Sequence, residues 1–107
     1  MLPLEPKGDG PTYDLHEVQR LVGQGELTRL ISNAAIFGAD ALLIDRDGIV
    51  DVVLSLEPQD FYKTMEAERC PGLWQDVYHR RSGEVELYIK LQIDHRGRAV
   101  VIQFKRR

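Results

Sequence analysis

The chain has 107 residues, 43% hydrophobic and 29% charged, which fits one small globular core and leaves no room for a second. Its formal charge of -3 excludes a polycation that draws nucleic acid over its whole surface. A single cysteine, Cys70, excludes an internal disulfide, no apolar run approaches the roughly 20 residues of a membrane helix, and the opening MLPLEPK lacks an apolar signal core, so the expected compartment is the cytoplasm.

The charge is unevenly placed. Residues 1–60 hold four basic and 11 acidic side chains, a balance of -7, whereas residues 61–107 hold ten basic and six acidic, a balance of +4. An anion-binding surface, if the fold builds one, has to come from the C-terminal half; otherwise the two balances describe ordinary solvated faces.

In chain order, three prolines and two glycines among the first 11 residues predict a loose leader over 1–12, with the domain at 13–107. Asp14-Leu15-His16-Glu17 reads as a capping-box start, and Leu15, Val18, Leu21 and Val22 follow at helical spacing until Gly23 and Gly25. Leu27, Leu30, Ile31, Ala34 and Ala35 predict a second short helix ended by Gly38. Ala41 to Ile44 fits a buried strand, and residues 48–55 read as helix. Pro58 suits the first turn of a further helix in which Phe61 and Met65 share a face and Lys63 points away. After Pro71-Gly72, a turn signal, the apolar period changes to two over 73–81, 84–94 and 98–106. Ser82-Gly83 and Arg96-Gly97 separate these runs and suit tight hairpins. The expected fold class is α+β, a single domain with N-terminal helices on one face of a small antiparallel sheet formed mainly by the C-terminal half.

Hairpin arithmetic then groups side chains. An Arg96-Gly97 turn pairs Ile93 with Val100, Leu91 with Ile102 and Ile89 with Phe104 on the core face, and Tyr88 with Lys105 and Lys90 with Gln103 on the other. A Ser82-Gly83 turn pairs Gln75 with Lys90, Val77 with Tyr88 and His79 with Glu86, and it turns Trp74 toward the core. A three-residue loop there would remove Gln75 and His79 from the polar face. That face gathers ammonium groups, a phenol and a carboxamide without a Cys/His or carboxylate cluster of metal-holding spacing. It reads either as a metal-free anion site or as an ordinary solvated sheet face. Cleavage of an RNA phosphodiester needs a group to take the 2′-hydroxyl proton, cations for the transition-state charge and a proton for the leaving oxygen; lysine, tyrosine and histidine supply all three. His16 and His95 read as solvated, His79 as a proton donor or a surface partner of Glu86, and Cys70 as a loop residue.

Asp60-Phe61-Tyr62-Lys63-Thr64-Met65, Leu73-Trp74-Gln75-Asp76-Val77-Tyr78, Glu84 to Lys90 and Val101-Ile102-Gln103-Phe104-Lys105, with Val18-Gln19-Arg20-Leu21-Val22-Gly23 upstream, closely resemble the MqsR family, the motility quorum-sensing regulator toxins of type II toxin-antitoxin systems. The resemblance implies a RelE-like fold and a sequence-selective endoribonuclease that cuts mRNA at GC-containing sites and arrests growth. By motif position it places the site on Lys63, Gln75, Tyr88 and Lys105, and the hairpin face adds Lys90, Gln103 and His79 as RNA-binding neighbours. It implies no metal or other cofactor in this chain. The implied partner is an MqsA-like antitoxin with a zinc-binding N-terminal domain and a helix-turn-helix C-terminal domain, through which alone the pair would meet DNA. The acidic net charge departs from a basic RNA-binding toxin and keeps open a second class, a non-catalytic antitoxin-binding protein with weak RNA affinity.

Overall fold

The computed structural model describes residues 10–107. The expected leader of residues 1–12 lies mostly outside these; at its end, the Thr12 backbone N–H donates to Asp76. The elements are α1 (Leu15–Gln24), β1 (Arg29–Ile31), α2 (Asn33–Asp40), α3 (Arg46–Ser55), a 3-10 turn (Pro58–Asp60), β2 (Phe61–Ala67), β3 (Cys70–Ser82), β4 (Val85–Ile93) and β5 (Ala99–Arg106). The sheet order is β1-β5-β4-β3-β2. It is antiparallel except that β1 runs parallel to β5, so the sheet is mixed where the sequence predicts an antiparallel one.

One face of the sheet is covered. Leu15, Val18, Leu21 and Val22 of α1, Ala35 and Ala39 of α2 and Ile49 and Val53 of α3 form the core with Tyr78, Leu87, Ile89, Leu91, Val101 and Phe104. Strand alternation turns the residues between these to the other face. The helices are tied together through their ends: the Gln19 side-chain amide donates to the Val53 and Leu56 carbonyls, and Thr28 Oγ1 and the Arg29 guanidinium donate to the Leu21 and Val22 carbonyls. These bonds add donors to carbonyls at and just beyond the helix C-termini, where the intrahelical ladder runs out. At the other end of α1, Asp14 caps through its backbone carbonyl alone, without the side-chain bond of the expected capping box.

Several expected elements are corrected. The predicted second helix splits: Arg29–Ile31 joins β5 as a strand, with Leu27 almost fully exposed, and the helix proper begins after Ser32. Short apolar runs satisfy strand and helix spacing alike, and here pairing with β5 decides. Ala41 to Ile44 is a turn, with Leu43 at φ 60, and not a strand. Pro58 begins only one 3-10 turn. Asp60 accepts from the Glu57 N–H and binds Arg80 at 3.0 Å, and the chain then extends into β2, so Lys63 lies on a strand and not on a helix. The β2–β3 turn is Glu68-Arg69, with Pro71-Gly72 inside β3. Trp74 is half-buried and outside the core.

The β3–β4 register carries the faces forward with a shift, whereas the β4–β5 register does so only as far as Lys90; beyond it Ala99 and Val101 stand in the core in place of the expected Val100 and Ile102. The β3–β4 turn is Gly83-Glu84, because Ser82 pairs with Val85; relative to the expected pairing the strands slide by two residues. His79 therefore faces Tyr88, Val77 faces Lys90, and Arg81 faces Glu86. An even slide keeps every side chain on its predicted face. In the β4–β5 hairpin Tyr88–Lys105, Ile89–Phe104 and Lys90–Gln103 pair as expected, but an irregularity after Lys90 makes Leu91 face Val101, Gln92 face Val100 and Ile93 face Ala99. The turn that follows is wider than Arg96-Gly97 alone, and in it Asp94 Oδ1 accepts from the N–H groups of Arg96 and Arg98 at 2.9 Å each.

Candidate functional site

The uncovered face is ordered in rows across the strands. In β2 a register shift lies between Phe61, opposite Tyr78, and Lys63, opposite Val77. Such a bulge breaks the alternation of faces. Phe61 stays with the core, and both Tyr62 and Lys63 reach the open side. Tyr62 stacks on His79 with ring centroids 4.1 Å apart and planes 23° apart. His79 in turn lies 5.9 Å from Tyr88, and the Lys105 ammonium sits 5.1 Å from the Tyr88 ring centroid. The first row is thus Tyr62, His79, Tyr88 and Lys105, one residue from each of four strands. The next row is Lys63, Val77, Lys90 and Gln103. On the far side of the first row Glu86 binds Arg81 at 3.1 Å and Arg107 at 3.2 Å.

The electrostatics of the face follow from crowding of like charges and from partial burial. Burial pushes the His79 imidazole below its ordinary value, and Arg107 and Lys63 add to this against the opposing pull of Glu86, so the ring is neutral at pH 7. Burial, with Tyr62 nearby, pushes the Tyr88 phenol up, which keeps it protonated. Lys90 is lowered by burial and by Lys105 and Lys63, with Glu68 acting the other way. The face therefore offers, side by side, a neutral proton acceptor, a proton donor and three ammonium groups.

All seven residues singled out from sequence, Lys63, Gln75, Tyr88, Lys105, Lys90, Gln103 and His79, lie on this face. They are not equivalent. Gln75 is one row further along, 9% exposed, and donates from Nε2 to Gln92 Oε1 at 2.9 Å. Its amide braces the floor of the face, beside a groove of about 390 Å³ lined by Met65, Leu73, Gln75 and Lys90 among others. The sequence does not mark Tyr62 as a site residue, because a helical Asp60–Met65 gives no reason to place it beside His79; only a bulged strand does. Among the described residues no group of three or more His, Cys, Asp or Glu is placed to hold a metal ion, and no helix is long and apolar enough to cross a membrane.

A five-stranded sheet with helices on one side and a cationic, aromatic face on the other is the arrangement of a small RelE-like α+β domain. The chain belongs to the family described as motility quorum-sensing regulator, toxin of MqsA, whose model matches residues 10–106. It is similar to the mRNA interferase toxin MqsR of Escherichia coli (strain K12), with 33% identity over 95 residues that cover 89% of this chain and 93% of the relative.

Proposed function

We propose that this protein is the toxin of a type II toxin-antitoxin pair, acting in the cytoplasm as a sequence-selective, metal-independent endoribonuclease that cuts mRNA at GC-containing sites. The observation that carries the reading is the row Tyr62-His79-Tyr88-Lys105 flanked by Lys63 and Lys90; the name of the relative, an mRNA interferase, supports it. In this mechanism neutral His79 takes the proton of the ribose 2′-hydroxyl, O2′ attacks phosphorus, and the bond from phosphorus to O5′ breaks. Lys63, Lys105 and Lys90 offset the charge that builds on the phosphorane oxygens. Tyr88 gives its proton to the leaving O5′, leaving a 2′,3′-cyclic phosphate and a 5′-hydroxyl. Gln75 holds the floor through Gln92, and Gln103 and Lys90 hold the neighbouring backbone. The partner is an MqsA-like antitoxin with a zinc-binding N-terminal domain and a helix-turn-helix C-terminal domain, and DNA is reached only through it.

The test is incubation of the purified protein in EDTA with single-stranded RNAs that differ only in a GC step, beside Lys105→Ala and Tyr88→Phe. The expected result is cutting of the GC-containing strand by the parent and a loss of about 10²–10⁴-fold in Tyr88→Phe, the usual worth of a positioned proton donor. Equal cutting by all three proteins would mean that the site lies elsewhere. The formal charge of -3 favours a second reading, a non-catalytic antitoxin-binding protein; its signature is antitoxin binding without cutting of any strand.

A further inference from the structure

We propose that Tyr62, backed by His79, is a stacking platform for one nucleobase of the RNA strand and a determinant of which sequences the protein selects. This rests on the ribonuclease reading and names a contact beyond it. The bulge in β2 costs a ladder pairing, and what it achieves is to bring Tyr62 over to the open face beside Lys63. The ring is 55% exposed and its hydroxyl makes no hydrogen bond among the described residues, so burial does not account for its place. One side of the ring is taken by His79 at 4.1 Å. Because β2 is an edge strand of the sheet, no further strand stands beyond the ring among the described residues.

The surroundings point to a base and not to an apolar peptide. The Lys63 ammonium lies over the Tyr62 ring, 5.7 Å from its centroid, and Lys90 and Lys105 continue the cationic surface along the face. An aromatic surface edged by ammonium groups is the pattern that holds single strands, with rings taking bases and cations taking the phosphates between them. A base on the outer side of Tyr62 extends the row of rings by one member and leaves its phosphate within the lysine border. Purines, with more surface to stack, are preferred over pyrimidines at that position.

The experiment measures affinity by fluorescence anisotropy, using an all-2′-deoxy single strand that lacks the attacking hydroxyl, and a set of the same strand with one abasic position each. Parent, Tyr62→Ala and Tyr62→Phe are compared. The expected result is one position where removing the base weakens the parent by about 5- to 30-fold. Tyr62→Ala loses a similar factor on the intact strand and is indifferent to that abasic position, and Tyr62→Phe, which keeps the ring, binds as the parent does. A parent that binds with Tyr62→Ala equal to it overturns the platform alone. Losses from Tyr62→Ala and from the abasic position that simply multiply also overturn it, because the two groups then do not touch. A parent that binds no single strand overturns the platform and the ribonuclease reading together.

Discussion

Gly38 and Gly23 both sit in helices, yet exchanging each for alanine is expected to have opposite effects. A Cβ on Gly38 would overlap the Phe104 carbonyl oxygen and stand 3.1 Å from Lys105 Cβ. The obstacle is backbone, so relief requires α2 to withdraw from β5. That withdrawal is opposed at the start of the helix, where Ser32 Oγ donates to the Ile102 carbonyl at 2.6 Å and the Ser32 N–H donates to the Val101 carbonyl at 3.0 Å. Overpacking of this kind costs up to about 3 kcal/mol, and alanine recovers about 1 kcal/mol of helix propensity, for a net loss of about 2 kcal/mol. For a domain of this size that lowers Tm by about 8–15 °C. Gly23 faces the two Leu54 methyl groups at 3.5 and 3.8 Å, ordinary contacts, so its alanine variant gains about 0.5–1 kcal/mol and a few degrees. Thermal and urea unfolding of the two variants decide the matter. A Gly38→Ala protein that melts at or above the parent would refute the packing argument. So would two shifts of the same sign.

Three further outcomes are expected. Asp76, 1% exposed, accepts the N–H groups of Thr12 and Tyr13 on its two oxygens at 3.0 and 2.9 Å. Asp76→Asn turns an amide N–H toward one of these donors and costs about 1.5–3 kcal/mol; an unchanged urea midpoint would count against it. With His79 as proton acceptor and its imidazole lowered from 6.5, cleavage persists as pH falls through 6.5 and declines only below it, as the ring takes up a proton. Removing Arg107, one of the cations that lowers it, moves that decline to higher pH, and a decline already complete at 6.5 in the parent contradicts the assignment. RNA affinity falls with salt at a slope of about -2 in log-log form, because Lys63, Lys90 and Lys105 have no ion-pair partner among the described residues and each neutralised phosphate of a single strand contributes about -0.7. A slope near zero would remove the three lysines from the RNA interface.

The open face was legible in the sequence because alternation along a strand survives errors of even length. The sequence places the turn at Ser82-Gly83, one residue before the observed Gly83-Glu84, yet Gln75 and His79 share the face of Tyr88 and Lys90. Tyr88–Lys105 and Lys90–Gln103 follow from the hairpin arithmetic because the irregularity of the last hairpin falls between Lys90 and the turn. What failed were segments whose state is decided by partners distant in the chain. Leu30 and Ile31 extend because Val100 and Val101 receive them. Lys63 joins a strand because β3 offers it Val77, while Phe61 and Met65, four apart, imitate a helical pair. No local signal marks a bulge without glycine, so nothing in the sequence brings Tyr62 to the open face.

The acidic net charge bears less on RNA binding than its sign suggests, because the fold separates what the average combines. Asp45 capping α3 and Asp47 and Asp51 within it belong to the layer behind the sheet, whereas Lys63, Lys90 and Lys105 stand on the opposite face. Packed layers lie about 10 Å apart, and charges are screened over about 8 Å at physiological ionic strength. A bound strand therefore meets the lysines at close range and the carboxylates mostly through salt and protein. At about 0.01 M salt the screening length grows to about 30 Å, the acidic layer is felt on the open face, and the rise in affinity on dilution flattens. A uniformly basic surface gives a straight line over the same range. Curvature at low salt thus reports the segregation of charge directly.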